Sequence, residues 1–326
     1  MILKLVGQLV IATVFTQLIP ADASYFEWQA GVAGEPIDFF ETETLSAYGV
    51  SLPVAGDRHP EDYPIKVDSD SYGIVTTAQS ALVVDAESGM ILLGKHPYQV
   101  RSIGSVTKLM SALVFLEADP DMNQIVTLDP TLDLIEGGRV YLAFYDGIEL
   151  EDVLAASLVG SDNTATEALM RFSGLTREEF IARMNSKAEE LGMKNSTFTD
   201  PTGIDSTNMS TAWDLVKLLR AAEDVATIQK FMTTSVITVQ HLSGRSVTIE
   251  NTNLLLESFL NTGEFDIAGG KTGYLPQAGY VLVSSIEKGS DKIYVIVMGS
   301  ESKDTRVQEA KGLASWAFKV YKWPGE

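Results

Sequence analysis

Ser105-Val106-Thr107-Lys108 places a hydroxyl and an amine three residues apart. Positions i and i+3 of a helix share a face with Cβ atoms ~5–6 Å apart, so the lysine amine can reach the serine hydroxyl. A serine at a helix start also meets the positive end of the helix dipole, which favours developing negative charge. Alone the pattern discriminates poorly, because Ser300-Glu301-Ser302-Lys303 repeats it. Ser161-Asp162-Asn163 is an S-x-N pattern in a short link between two helical stretches, and Ser206-Thr207-Asn208 is a second copy. An ordinary N-cap explains either one. Lys271-Thr272-Gly273 follows Gly269-Gly270 on a strand pattern and occurs once. A cation, a hydroxyl and a residue without a side chain, on an inner strand, can bind a carboxylate and let a peptide lie along that strand. A surface strand carrying one lysine explains the same residues equally well.

These groups need elements to hold them. Ser80 to Asp85 and Met90 to Lys95 are strand patterns around the turn Glu87-Ser88-Gly89, so a hairpin is expected. Helical periodicity runs from Ser105 to about Leu116, with Val106, Leu109, Met110, Leu113 and Val114 as its apolar face. Further helices are expected over Leu150 to Leu158, after Asn163, after Ser210 and from about Asp304 to Tyr321. Thr176 and Glu179 form a capping box for another, with Phe180, Met184, Ala188 and Leu191 on one side and Gly192 ending it. Strand patterns lie at Ser235–Gln240, Val247–Asn251, Ala268–Tyr274, Gly279–Ser285 and Lys292–Met298. Strands at both ends of a helical middle predict an α+β architecture, with an antiparallel sheet built from both chain ends and a helical subdomain.

Order and spacing make the three motifs specific together. S-x-x-K, S-x-N and K-T-G stand 56 residues apart from Ser105 to Ser161 and 110 from Ser161 to Lys271. That is the pattern of penicillin-binding proteins and class A β-lactamases. The flanks extend it. Ser80–Glu117 (SALVVDAESGMILLGKHPYQVRSIGSVTKLMSALVFLE) resembles the leading hairpin and nucleophile helix of the low-molecular-mass D-alanyl-D-alanine carboxypeptidases. So do Leu191–Leu219 (LGMKNSTFTDPTGIDSTNMSTAWDLVKLL) and the NTNLLL run from Asn251. The resemblance covers about residues 77 to 322 and implies the penicillin-recognising serine-acyltransferase fold.

It also implies roles. Ser105 would be the nucleophile of an acyl-enzyme. Lys108 would be its base, which requires a neutral amine and a pKa far below the usual ~10.4; burial and the nearby Lys271 would bring that about. Ser161 would pass a proton to the leaving amine, and Asn163 would hold Lys108 and the substrate amide. Lys271 and Thr272 would take the substrate's terminal carboxylate beside Gly273. The backbone N–H groups of Ser105 and Tyr274 would form the oxyanion hole. The implied activity is a serine D-Ala-D-Ala carboxypeptidase trimming peptidoglycan stem peptides without a cofactor or metal, with β-lactams as covalent inhibitors. The alternatives are a D,D-endopeptidase cleaving peptidoglycan cross-links and a class A β-lactamase. The β-lactamase needs a deacylating glutamate in an E-x-x-L-N segment well before K-T-G. Glu257-Ser258-Phe259-Leu260-Asn261 lies only 14 residues before Lys271, and Thr199-Asp200-Pro201-Thr202-Gly203 is peptidase-like instead.

Composition excludes other classes. The chain has 326 residues, 45% apolar and 21% charged, ample for a core. Lys plus Arg number 24 against 44 Asp plus Glu, a net charge of −20, which argues against nucleic acid and anionic membrane surfaces. No cysteine is present, so disulfides and thiolate chemistry are excluded. His59, His96 and His241 are scattered, with no HExxH and no G-x-S-x-G nearby. A non-catalytic wall-binding module would tolerate loss of Ser105 or Lys108, yet every polar member is kept.

Lys4, the apolar run Leu5 to Ile19, Pro20 and the small-x-small Ala21-Asp22-Ala23 read as an export signal. The body is thus expected outside the cytoplasm, on the periplasmic or cell-wall side, with membrane contact at most through an uncleaved N-terminus. The expected organisation is a signal peptide over 1–23, an acidic extension over 24–76 and a D,D-peptidase domain over 77–326. Between Ser24 and Tyr72, ten acidic residues stand against Arg58 and Lys66, with four prolines and no sustained period.

Overall fold

All six residues of Ser80–Asp85 (β1) are buried, so both faces of this strand are covered. The computed structural model describes residues 63–324. The expected signal segment and most of the acidic extension lie outside them. β1 turns back into Ile91–Lys95 (β2), with Gly89 at φ 73 and Asp85 accepting from Ser88 N–H at 2.7 Å. A separate hairpin, Val236–Gln240 (β3) and Ser246–Glu250 (β4), stands apart from the main sheet. Asp266–Leu275 (β5), Gly279–Lys288 (β6) and Asp291–Ser300 (β7) complete an antiparallel five-stranded sheet of order β5-β6-β7-β1-β2. Strands from both chain ends meet at the β7–β1 pairing, as the sequence pattern predicts.

Alternation along the strands divides the apolar residues between two cores. Leu82, Val84, Val281, Val283, Tyr294, Ile296 and Met298 face one. Ala81, Val83, Leu282, Ile286, Ile293, Val295 and Val297 face the other. The last helix, Lys303–Val320, covers the second face with Val307, Ala310, Leu313, Ala314 and Ala317.

On the first face lies Thr107–Leu116 (α1), buried at nine of its ten positions. Around it pack Leu150–Leu158 (α2), Asn163–Phe172 (α3), Arg177–Glu190 (α4) and Ala212–Glu223 (α5). The Thr176 capping box on α4 forms as expected, and Gly192 stands at φ 67 just past the helix.

Three features depart from the sequence reading. Ser105 is not in the α-helix but in a 3₁₀ turn, Gly104–Val106, that feeds it. Gly104 at φ 54 cannot be helical, and it lies too near β5 for a side chain. Ala226–Thr233 is a helix that was not expected; its buried residues are only Ile228, Phe231 and Met232, too few to register as a period. Finally, part of the expected extension is ordered against the body. Ile65–Lys66 pairs with Tyr321–Lys322, and Trp316 Nε1 donates to Ser71 Oγ at 2.8 Å.

Candidate active site

The nucleophile turn and the K-T-G strand are in backbone contact. A Cβ on Gly273 would stand 2.3 Å from Ile103 O and 3.2 Å from Ser105 N, and one on Gly104 would stand 2.9 Å from Tyr274 N. Only glycine permits both approaches. The Ser105 and Tyr274 amides are thereby brought close together, and the gap between this turn and strand on one side and the S-D-N turn on the other is the cleft.

Lys108 is fully buried at the start of α1. Its Nζ lies 2.9 Å from Ser105 Oγ, 2.6 Å from Asn163 Oδ1 and 2.6 Å from Thr202 O. Asn163 donates its Nδ2 to Gly137 O, which turns Oδ1 toward the lysine. Two of the three partners, an amide oxygen and a carbonyl, can only accept. A neutral amine has two N–H bonds and one lone pair. With both N–H bonds committed, the lone pair faces the Ser105 hydroxyl, which is the geometry of a base beside its nucleophile.

Burial pushes the Lys108 amine down to about 7, against the upward pull of Asp200 and Asp162. Lys271, also buried, is held well below its ordinary value by burial first, then by repulsion from Lys108 and Arg306. The sequence reading gave Lys271 a share in lowering Lys108. In the structure burial is the largest cause at both amines, and their mutual repulsion disfavours both being charged at once.

Ser161 occupies the left-handed region at φ 59, rare for a residue with a side chain. Its hydroxyl makes no hydrogen bond to protein among the described residues, and it is partly exposed. Asp162 caps α3 by accepting from Ala165 N–H at 3.1 Å, and burial raises its pKa. Thr272 Oγ1 bonds Thr252 Oγ1 at 2.7 Å. Tyr274 is half exposed at the cleft mouth, stacked on Tyr280 with centroids 4.4 Å apart.

Several supporting groups received no site role from the sequence, although two of the segments that carry them were noted there. Asp200 Oδ1 accepts from Thr202 N–H at 2.7 Å, Thr202 Oγ1 at 2.6 Å and Gly203 N–H at 2.9 Å, fixing the carbonyl that meets Lys108. Asn208, in the second S-x-N copy, donates to Thr107 Oγ1 at 3.1 Å and to Asp200 O at 2.9 Å. It ties the Asp200 loop to α1. Arg306 is buried on the last helix and donates to Gly273 O at 2.9 Å and Val281 O at 3.2 Å. A charge amid that helix's apolar positions was its only sequence signal. The second S-x-x-K copy is structural: Ser300 is buried and donates to Glu309.

The profile of the D-alanyl-D-alanine carboxypeptidase family matches residues 68–302. A D-alanyl-D-alanine endopeptidase of Haemophilus influenzae is 38% identical over 208 residues, which is 63% of this chain and 69% of that protein. A D-alanyl-D-alanine carboxypeptidase of Bacillus subtilis is 27% identical over 249 residues, 75% of this chain and 63% of that one. The crystal structure of the Streptomyces K15 DD-transpeptidase superposes with a TM-score of 0.70 at 28% identity, covering 77% of this chain and all of that one.

Proposed function

We propose that this chain, which belongs to the D-alanyl-D-alanine carboxypeptidase family, is a serine peptidase that removes the terminal D-alanine from peptidoglycan stem peptides. The observation that carries the reading is the set of three partners around Lys108 Nζ, which leaves its lone pair for Ser105. Ser105 Oγ attacks the penultimate D-alanine carbonyl while its proton passes to Lys108. The oxyanion meets the N–H groups of Ser105 and Tyr274; one such donor contributes about 3 kcal/mol in comparable enzymes. Ser161 delivers a proton to the leaving amine, and water then hydrolyses the ester. Asn163 holds the substrate amide beside Lys108. The carboxylate of the leaving D-alanine lies against Lys271 and Thr272, and its arrival favours the protonated form of Lys271. A β-lactam enters by the same attack on Ser105.

Cross-link cleavage is a second reading, favoured by the 38% identity to an endopeptidase against 27% to a carboxypeptidase. There the leaving group is the side-chain amine of a neighbouring stem peptide. Offering pentapeptide monomers and cross-linked dimers together separates the two. Release of D-alanine with dimers intact supports the carboxypeptidase; splitting of dimers while pentapeptides persist overturns it.

Export fits this substrate. We read residues 1–23 as a signal peptide and 24–76 as an acidic extension ahead of the peptidase domain. Among the described residues no helix is long and apolar enough to cross a membrane.

A further inference from the structure

The segment from Gly137 to Tyr141 crosses the S-D-N turn and is tied to it at both ends. Asn163 Nδ2 donates to Gly137 O, and Tyr141 N–H donates to Asp162 Oδ2 at 2.8 Å. Gly138, at φ 114, lies so close that a Cβ would stand 3.2 Å from Asn163 Nδ2. The Tyr141 ring fills the place of a side chain at Gly160, where a Cβ would meet Tyr141 Cε2 at 2.5 Å and Ile249 Cγ2 at 2.7 Å. Gly160 directly precedes Ser161. Three residues beyond Ile249, Thr252 holds Thr272. The ring therefore lies on the side of the cleft assigned to the leaving amine and its carboxylate.

Arg139 sits in the middle of this segment, with its guanidinium 5.6 Å from the Tyr141 ring centroid. It is exposed and makes no ion pair among the described residues. Among the described residues Arg171, Arg177 and Arg183 bond carboxylates, whereas Arg101, Arg220, Arg245 and Arg306, like Arg139, form no ion pair. A ring beneath a guanidinium orients the charge without neutralising it. The fork stays free to take a carboxylate bidentately. D-Alanine as leaving group has one carboxylate, already assigned to Lys271 and Thr272. The leaving stem peptide of a cross-linked substrate reaches further and carries additional carboxylates.

We propose that Arg139 is a specificity-determining residue that binds a second carboxylate, borne by the leaving stem peptide of a cross-linked substrate. The inference rests on the cross-link-cleaving reading. The test compares kcat/KM for a soluble cross-linked dimer and for a pentapeptide monomer, in the wild type, Arg139→Gln and Arg139→Lys. The dimer-to-pentapeptide ratio should fall ten-fold or more in Arg139→Gln, through KM, and recover in part in Arg139→Lys. Amidating only the additional carboxylates of the leaving stem, with the one that faces Lys271 and Thr272 left free, should weaken the wild type by the same factor and leave Arg139→Gln unaffected. A dimer-to-pentapeptide ratio that Arg139→Gln does not change, or an amidation effect that persists in it, overturns the role of Arg139 alone. Pentapeptide trimming with no dimer cleavage by the wild type overturns both this inference and the reading beneath it.

Discussion

At the residue scale the decisive group is Lys108, because its proton sets the nucleophilicity of Ser105. Its pKa is lowered from 10.5 to about 7. The base works when neutral, so benzylpenicillin acylation should speed up as pH rises through about 7 and level off above. Below that it should slow about ten-fold per unit, since each unit removes nine-tenths of the free amine. Stopped-flow acylation rates from pH 5 to 9 check this; a flat profile removes Lys108 from the role of base. The same depression is a stability cost, present in full below about pH 7 and relieved as pH rises toward 10.5. Lys108→Arg should lose acylation with the fold intact, because arginine stays protonated. Intact-mass measurement should find one benzylpenicillin adduct, lost in Ser105→Ala and retained in Ser300→Ala. An adduct surviving Ser105→Ala overturns the assignment of the nucleophile. The residue types at this site were legible in the sequence through motif order and spacing. What surrounds Lys108 was not: the Thr202 carbonyl is a backbone atom supplied 94 residues away, and no side-chain pattern announces it.

At the element scale, function depends on how closely one strand approaches one turn. β5 can lie against Gly104–Val106 only because position 273 lacks a side chain. In Gly273→Ala the new Cβ would stand 2.3 Å from the Ile103 carbonyl oxygen, so strand and turn must separate. A displacement of about 1 Å is enough to cost on the order of a hundred-fold in rate. Benzylpenicillin acylation should fall by that order while circular dichroism remains native; a near-wild-type rate overturns the argument. The contrast is Thr176→Ala, which removes the cap of α4 far from the cleft. It should cost about 1 kcal/mol of unfolding free energy with acylation unchanged. Both elements were legible, since capping chemistry and strand periodicity are local. The 3₁₀ turn at Ser105 was not, because Gly104 is forced out of the helix by a strand more than 160 residues later.

At the scale of the whole molecule, residues 65–71 and the last helix with its following strand hold each other on the side of the sheet away from the nucleophile turn. Ile65–Lys66 pairs with Tyr321–Lys322, Val67 N–H donates to Val320 O at 2.8 Å, and Ser71 accepts from Trp316. The last helix belongs to the second core, whereas the nucleophile turn borders the first. Composition made residues 24 to 76 look uniform, because proline and acid content do not reveal a two-residue strand whose partners lie 255 and 257 positions away. Residues 63–74 should therefore support stability, and the chemistry should not need them. The test compares a chain beginning at Tyr63 with a shorter one. One beginning at Val75 strips the cover from Trp316 and the pairing from Tyr321. Its midpoint should fall by about 5 °C, equivalent to about 2 kcal/mol in a domain of this size, with Trp316 emission shifted to the red. Penicillin should still acylate it at the wild-type rate at 20 °C. If that shortened chain folds but takes no adduct, the segment before Val75 belongs to the catalytic site and the division between a stabilising face and a reacting face is wrong.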